Sequence, residues 1–121
     1  MIASQPSDSG IEAITGEPIS SVAFVHDYVE IHFDGKIVRS LSMPTVRLGD
    51  ILHTFPAPGS RDALCSLIGQ TVERVVATED ECIEIALVGG NRIFIPLEPG
   101  ARVGPEAAHY VPGRDEPIIV W

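Results

Sequence analysis

GEPISSVAFVHD at residues 16–27 returns as GQTVERVVATED at residues 69–80. The two begin 53 positions apart (69 − 16), and Ile19 falls over Val72, Val22 over Val75 and Asp27 over Asp80. Directly downstream, VEIHFDG at 29–35 matches IEIALVG at 83–89, now 54 positions apart (83 − 29). One residue has been inserted at Asp27/Asp80, and insertions are accommodated in turns, so both copies turn there.

A two-residue loop at His26-Asp27 sets Phe24 opposite Val29, Val22 opposite Ile31 and Ser20 opposite Phe33 on one face. The other face carries Val25/Tyr28, Ala23/Glu30 and Ser21/His32. One side is apolar and the other mixed, as an antiparallel pair with one buried face requires. In the second copy a three-residue loop, Glu79-Asp80-Glu81, sets Ala77 opposite Ile83, Val75 opposite Ile85 and Glu73 opposite Leu87. Asp34 to Lys36 and Gly89 to Asn91 supply residues that tolerate positive φ and mark the next turns. With Gly89-Gly90-Asn91 as the loop, Leu87 faces Ile93, Ile85 faces Ile95 and Ile83 faces Leu97. Each copy reads as a three-stranded meander.

Upstream, Ile11 and Ile14 fall over Leu64 and Leu67 at the same offset. Ser60 has the chemistry to cap a helix over 60–68, ended by Gly69, with Leu64, Leu67 and Ile68 on one face. Ser9 and Glu12 have the spacing of a capping box before a turn at 10–15. Downstream, TVRLGDILHTF breaks at Gly49-Asp50 and AAHYVPGRDEPIIVW breaks between Pro112 and Pro117, so each copy closes with a hairpin. The expected fold is mainly β: two tandem meander repeats, 9–59 and 60–121, of about five short strands each. One short helix lies between them. Two such half-sheets bury their apolar faces as a sandwich or as a closed barrel. Residues 9–121 form a single domain behind a disordered segment at 1–8.

Composition agrees. A chain of 121 residues is one domain in size, and 45% hydrophobic residues supply one core. Eleven Gly and ten Pro fall between apolar runs rather than in one tract, which marks short elements joined by turns. The net charge of −9, with Lys36 and seven scattered arginines, argues against nucleic acid and against an anionic membrane surface. Solubility accounts for that charge; a basic protein partner is the functional alternative. The longest apolar stretches, such as IIVW, are too short to span a bilayer. MIASQPSDSG lacks the basic region and apolar core of a signal peptide. Cys65 and Cys82, without paired spacing, then read as reduced thiols of a cytoplasmic protein.

Little chemistry is written in the chain. Tyr28, Glu30 and His32 share a strand face, with His26 and Asp27 in the adjoining turn, but a metal site needs three or four converging ligands. The second copy carries Cys82 and Ala86 where the first has Tyr28 and His32, so a solvated polar face is the better reading. Glu106 and His109 would neighbour each other on a helix, yet Pro105 and Pro112 leave room for little helix. Neither cysteine has a basic neighbour that would activate it, and no serine sits in a nucleophile elbow. LVGGNR lies between two strands and reads as a hairpin turn rather than a phosphate cradle. Glu79, Asp80, Glu81 and Glu84 make an acidic tip without EF-hand spacing. No metal and no cofactor is expected.

DYVEIHFDG (27–35), RDALCSLIGQTV (61–72) and GPEAAHYVPGRDEPIIVW (104–121) resemble a family of small uncharacterised bacterial proteins, across most of residues 16–121. That resemblance implies no activity, cofactor or catalytic residue. Some small β-rich bacterial proteins of this size and composition are immunity proteins, which bind and neutralise a toxin. The expectation is a non-catalytic binding protein, homodimeric, with an immunity-like inhibitor of a basic toxin as its most concrete form. The alternative is a small-molecule-binding protein or cofactor-free enzyme using a cleft between the repeats. The balance is against an enzyme. The candidate interaction surface is Tyr28, Glu30 and His32, with Trp121 as an anchor. Ile118 to Trp121 form an apolar run at a chain end, covered either within the monomer, by a strand that closes the second hairpin, or by a twofold contact.

Overall fold

The structure, a computed structural model, describes residues 10–26, 28–113 and 115–121. The segment at 1–8, Ser9 of the capping box and Asp27 at the first loop tip lie outside them. The chain is mainly β. Its strands are β1 (Ser21–Val25), β2 (Tyr28–Phe33), β3 (Lys36–Ser40), β4 (Thr45–Leu48), β5 (Ile51–Thr54), β6 (Val72–Thr78), β7 (Cys82–Leu87), β8 (Arg92–Pro96), β9 (Ala108–Val111) and β10 (Ile119–Val120). One helix, α1 (Ser60–Cys65), lies between β5 and β6, and Ile11–Ile14 and Pro99–Ala101 form 3-10 turns. None of the described helices is long and apolar enough to cross a membrane.

The strands form two antiparallel sheets, β1-β2-β3-β9-β10 (sheet 1) and β5-β4-β8-β7-β6 (sheet 2). Neither closes into a barrel. Nor does each half of the chain build its own sheet: β9 of the second half pairs with β3, and β4 of the first half pairs with β8. Residues 41–44 carry the crossing, and buried serines pin it. Ser40 Oγ donates to the Ser42 carbonyl and Ser42 Oγ donates to the Pro96 carbonyl, each at 2.7 Å, which turns the chain from β3 over to the end of β8. The two halves also meet at a bridge between Pro18 and Thr71. There Gly16 N donates to the Val72 carbonyl and Gly69 N to the Ile19 carbonyl, both at 2.8 Å. Both glycines sit at positive φ, 86° and 95°, where a side chain would be strained.

The β1–β2 register is the expected one, with Val22 opposite Ile31, Phe24 opposite Val29 and Ala23 opposite Glu30. In β6–β7, Ala77 faces Ile83 and Val75 faces Ile85, but Leu87 is opposite Val72 rather than Glu73. A bulge between Val72 and Arg74 absorbs Glu73. Strict alternation would have buried its carboxylate against Leu87, and the bulge instead leaves Glu73 exposed and puts Val72 in the core. The β7–β8 register differs by two residues from the sequence expectation: Ile85 faces Ile93 and Ile83 faces Ile95. Gly90 N closes its turn on the Leu87 carbonyl and Leu87 N reaches the Asn91 carbonyl, so the loop begins at Val88. A shift of two keeps every side chain on its face, which is why the apolar pattern could not detect it.

Ile31, Phe33, Val38 and Tyr110 of sheet 1 and Val46, Val75, Ile83, Ile85, Ile93 and Ile95 of sheet 2 join one buried cluster. Val22, at the edge, is half-buried. Ile11 and Ile14 from the first 3-10 turn, Leu64 from α1 and Leu67 from the turn after it close that cluster, whereas Ile68, expected on the same face, is exposed. The helix is shorter than 60–68, and Ser60 is not its cap. Gly59, at φ 87°, takes that position, while Ser60 Oγ donates back to the Ala57 carbonyl at 2.7 Å. Such a local bond competes with capping the turn ahead.

Candidate functional site

Alternation along β2 buries Val29, Ile31 and Phe33 and turns Tyr28, Glu30 and His32 to the outer face of sheet 1. Asp34 and Gly35, at φ 52° and 103°, form a two-residue turn that sets Phe33 opposite Lys36 and therefore Glu30 opposite Arg39. Arg39 Nε donates to Glu30 Oε2 at 2.8 Å, and His32 Nε2 lies 3.1 Å from Glu30 Oε1. Because β9 crosses to pair with β3, His109 comes next in the same row. Its Nδ1 is 2.9 Å from Arg39 Nη1 and its Nε2 is 2.7 Å from Glu106 Oε1. A guanidinium only donates and a carboxylate only accepts. A neutral His109 therefore carries its proton on Nε2. Arg39 also stacks over Tyr28, 5.5 Å from the ring centroid.

This is a closed network in which Glu30, Arg39, His109 and Glu106 satisfy one another. Burial opposes ionisation of Glu30, but hydrogen bonds from Arg39 and His32, with their positive charge, outweigh it and hold the carboxyl below its ordinary value. Cys82, at the start of β7, is the reverse case: burial, then the nearby Glu84, Glu81 and Glu98 carboxylates, push its thiol up. Both cysteines are free thiols. Among the described residues no group of three or more His, Cys, Asp or Glu is placed to hold a metal ion.

Trp121 is not on this face. Its side chain is 8% exposed and belongs to the core cluster, while its backbone bonds Ala107 N at 2.7 Å and the Ala108 carbonyl at 2.9 Å. Glu106 and His109 are joined, but by the end of a strand rather than by a helical turn.

Beside Tyr28 the surface opens into an apolar groove that the sequence did not reveal. One part, of about 300 Å³, is lined by Tyr28, Met43, Phe55 and Arg61; a second, of about 430 Å³, by Pro105 and Glu106. Leu41 and Val103 line both. Phe55 stacks on Phe24 with centroids 5.8 Å apart, and the Arg61 guanidinium lies 4.9 Å from the Phe55 centroid. Val103 is 76% exposed and Met43 50%. Arg102 holds the Val103 loop by donating from Nε and Nη2 to the Leu97 carbonyl, at 3.2 and 3.0 Å, and from Nη1 to the Pro105 carbonyl at 3.3 Å. A valine is thus presented to solvent on an anchored loop. The groove draws on β2, the 41–44 crossing, the segment from Phe55 to Arg61 and the connection from Val103 to Glu106, four segments that no single local pattern links.

A second hollow, of about 220 Å³, lies between the two halves and is lined by Tyr110, Lys36 and Ile119 among others. The buried Tyr110 hydroxyl has no hydrogen-bond partner among the described residues. Burial pushes its pKa up, against the pull of Lys36.

No protein-family model matches the chain, and neither a curated protein nor a solved structure matches it.

Proposed function

We propose that the chain is a non-catalytic binding protein that receives a basic polypeptide partner in the groove beside Tyr28. The observation that carries this reading is the pair Met43 and Val103, two exposed apolar side chains beside Tyr28, Phe55 and Leu41. Apolar residues gathered at a centre with charged residues at the rim are the anatomy of an interface. The net charge of −9 and the acidic tip at Glu79-Asp80-Glu81 supply attraction toward a basic partner. The titratable groups speak against catalysis. A general base works best with a pKa raised toward neutrality, and Glu30 is shifted the other way. A nucleophilic thiol needs a lowered pKa, and Cys82 has a raised one.

A second copy of this chain is a further partner in this proposal. Ile118 and Val120, half exposed at edge strand β10, are what such a contact would cover. The proposal also includes a duplicated β unit whose halves exchange their closing hairpins. The equal strand order of the two sheets and the matched Gly16–Val72 and Gly69–Ile19 bonds support it. The hollow with the unpartnered Tyr110 hydroxyl supports the second reading, a small ligand bound between the halves.

The groove is tested by retaining a basic protein on the immobilised chain, then measuring the affinity of that purified partner. Val103→Asp should weaken binding about thirtyfold or more, while Leu52→Ser, in sheet 2, should leave it unchanged. Equal affinity for wild type and Val103→Asp overturns the groove. A turnover abolished by Glu30→Gln overturns the non-catalytic reading.

A further inference from the structure

On the outer face of sheet 2 one cross-strand row reads Arg74, Ala86, Arg92, Arg47 and Leu52, across strands β6, β7, β8, β4 and β5. Three of the seven arginines of a chain with net charge −9 stand in that single row. Arg47 and Arg92 are direct cross-strand partners. Like charges in that position oppose one another, so sheet stability does not explain the pair.

Compensation is incomplete. Glu84 is the carboxylate at hand: Arg92 Nη1 bonds its Oε2, and Arg74 Nη2 lies 4.0 Å from the same oxygen. Arg47 has no carboxylate partner among the described residues, and the Nε atoms of both Arg47 and Arg92 are buried without a hydrogen-bond acceptor. A buried N–H without an acceptor is costly unless something else supplies one. The turns beside the pair are tied to one another. Gly49 N, in the β4–β5 turn, donates to Asn91 Oδ1 at 3.1 Å, and Asn91 Nδ2 donates to Gln70 Oε1 at 3.2 Å. Between Arg74 and Arg92, Ala86 is 5% exposed, so the row stands over a filled floor.

We propose that Arg47 and Arg92 form an oxyanion site, taking a phosphate or carboxylate group between their guanidinium groups. Planar forks of N–H donors match the oxygen pairs of both anions, and β4–β8 pairing sets the two arginines in register. Thr45 and Phe94 occupy the next outward position on β4 and β8, and the exposed Leu52 lies at the other side of Arg47. The site therefore has an apolar rim as well as charge. It lies in sheet 2 and is independent of the groove beside Tyr28.

Two probes separate the sources of the anion: inorganic phosphate and a hexaglutamate peptide, each against chloride at matched ionic strength. Arginine Nε–Hε resonances of Arg47 and Arg92 should move saturably with one probe or both. Phosphate saturation identifies a free phosphate group, and saturation by the peptide alone identifies polypeptide carboxylates. At about ten times the dissociation constant, the effective probe should raise the melting temperature of wild type by about 5 °C more than that of Arg47→Gln. A folded Arg47→Gln with the same response, or no saturable shift with either probe, overturns the site. Should Arg47→Gln fail to fold, the wild-type titration still decides.

Discussion

Sheet 1 and sheet 2 have the same strand order, read from β1 and from β6, and carry opposite solutions to the same outer face. In sheet 1 the central row is Ala23, Glu30, Arg39, His109 and Val120, and its acids and bases are bonded to one another. The matching row of sheet 2 is Val76, Glu84, Phe94, Thr45 and Thr54, with Glu84 its one charged residue and the two threonine hydroxyls bonded at 2.9 Å. The next row reverses the roles. Sheet 1 has Ser21, His32, Ile37 and Val111, where sheet 2 has Arg74, Ala86, Arg92 and Arg47. Equal backbone geometry thus supports a self-satisfied network on one face and incompletely compensated charge on the other. The inner faces are built alike and the outer faces are not, because burial constrains only the former.

The largest effect should come where the sheets agree. Ile31 and Ile85 sit at matching inner positions and are fully buried. Ile31→Ala and Ile85→Ala should each destabilise by about 2–5 kcal/mol in urea unfolding. Midpoints equal to wild type in both variants would break the sheet assignment, and a loss confined to one would show that the two halves do not share one core.

A smaller difference should separate Glu30 from Glu84. Glu30→Gln leaves the half-buried Arg39 without its carboxylate and should cost about 1–3 kcal/mol. Glu84→Gln, at a more exposed position, should cost less. The two also differ with pH. The Glu30 carboxyl is lowered from its ordinary value of 4.5 in the folded state, so the unfolded chain binds its proton first as pH falls. Its stabilisation is complete above that ordinary value and disappears as pH drops through the folded value. Subtracting the Glu30→Gln curve from wild type should therefore give a difference that shrinks below about pH 4.5. A pH-independent difference would mean that the network does not act through the ionised carboxylate.

The smallest effect concerns Tyr110, whose matching inner position in sheet 2 is Val46. Tyr110→Phe removes a buried hydroxyl that has no partner among the described residues. Its melting temperature should stay level or rise, within about 1 kcal/mol of wild type. A loss beyond that would reveal an acceptor in the hollow and strengthen the small-ligand reading.

Much of the first meander was legible because hairpin arithmetic is local. The β1–β2 register follows from a two-residue loop, and a two-residue turn at Asp34-Gly35 by the same arithmetic sets Glu30 opposite Arg39. The bulge at Glu73 was foreshadowed by the carboxylate that alternation would have buried. The two-residue shift at Gly89-Gly90 was invisible, since period 2 is blind to it.

By itself the sequence determined the mainly β class, the turn positions and which side of each strand is apolar, since alternation and turn chemistry act over a few neighbours. Only tertiary structure decided which edges the hairpins would join. A free edge at β3 accepts either hairpin by the same backbone bonds, and no local pattern distinguishes them. That choice brings His109 to Arg39, sets Arg47 against Arg92 and draws Trp121 into the core, so every feature with a function to propose depends on pairing between segments distant in the chain.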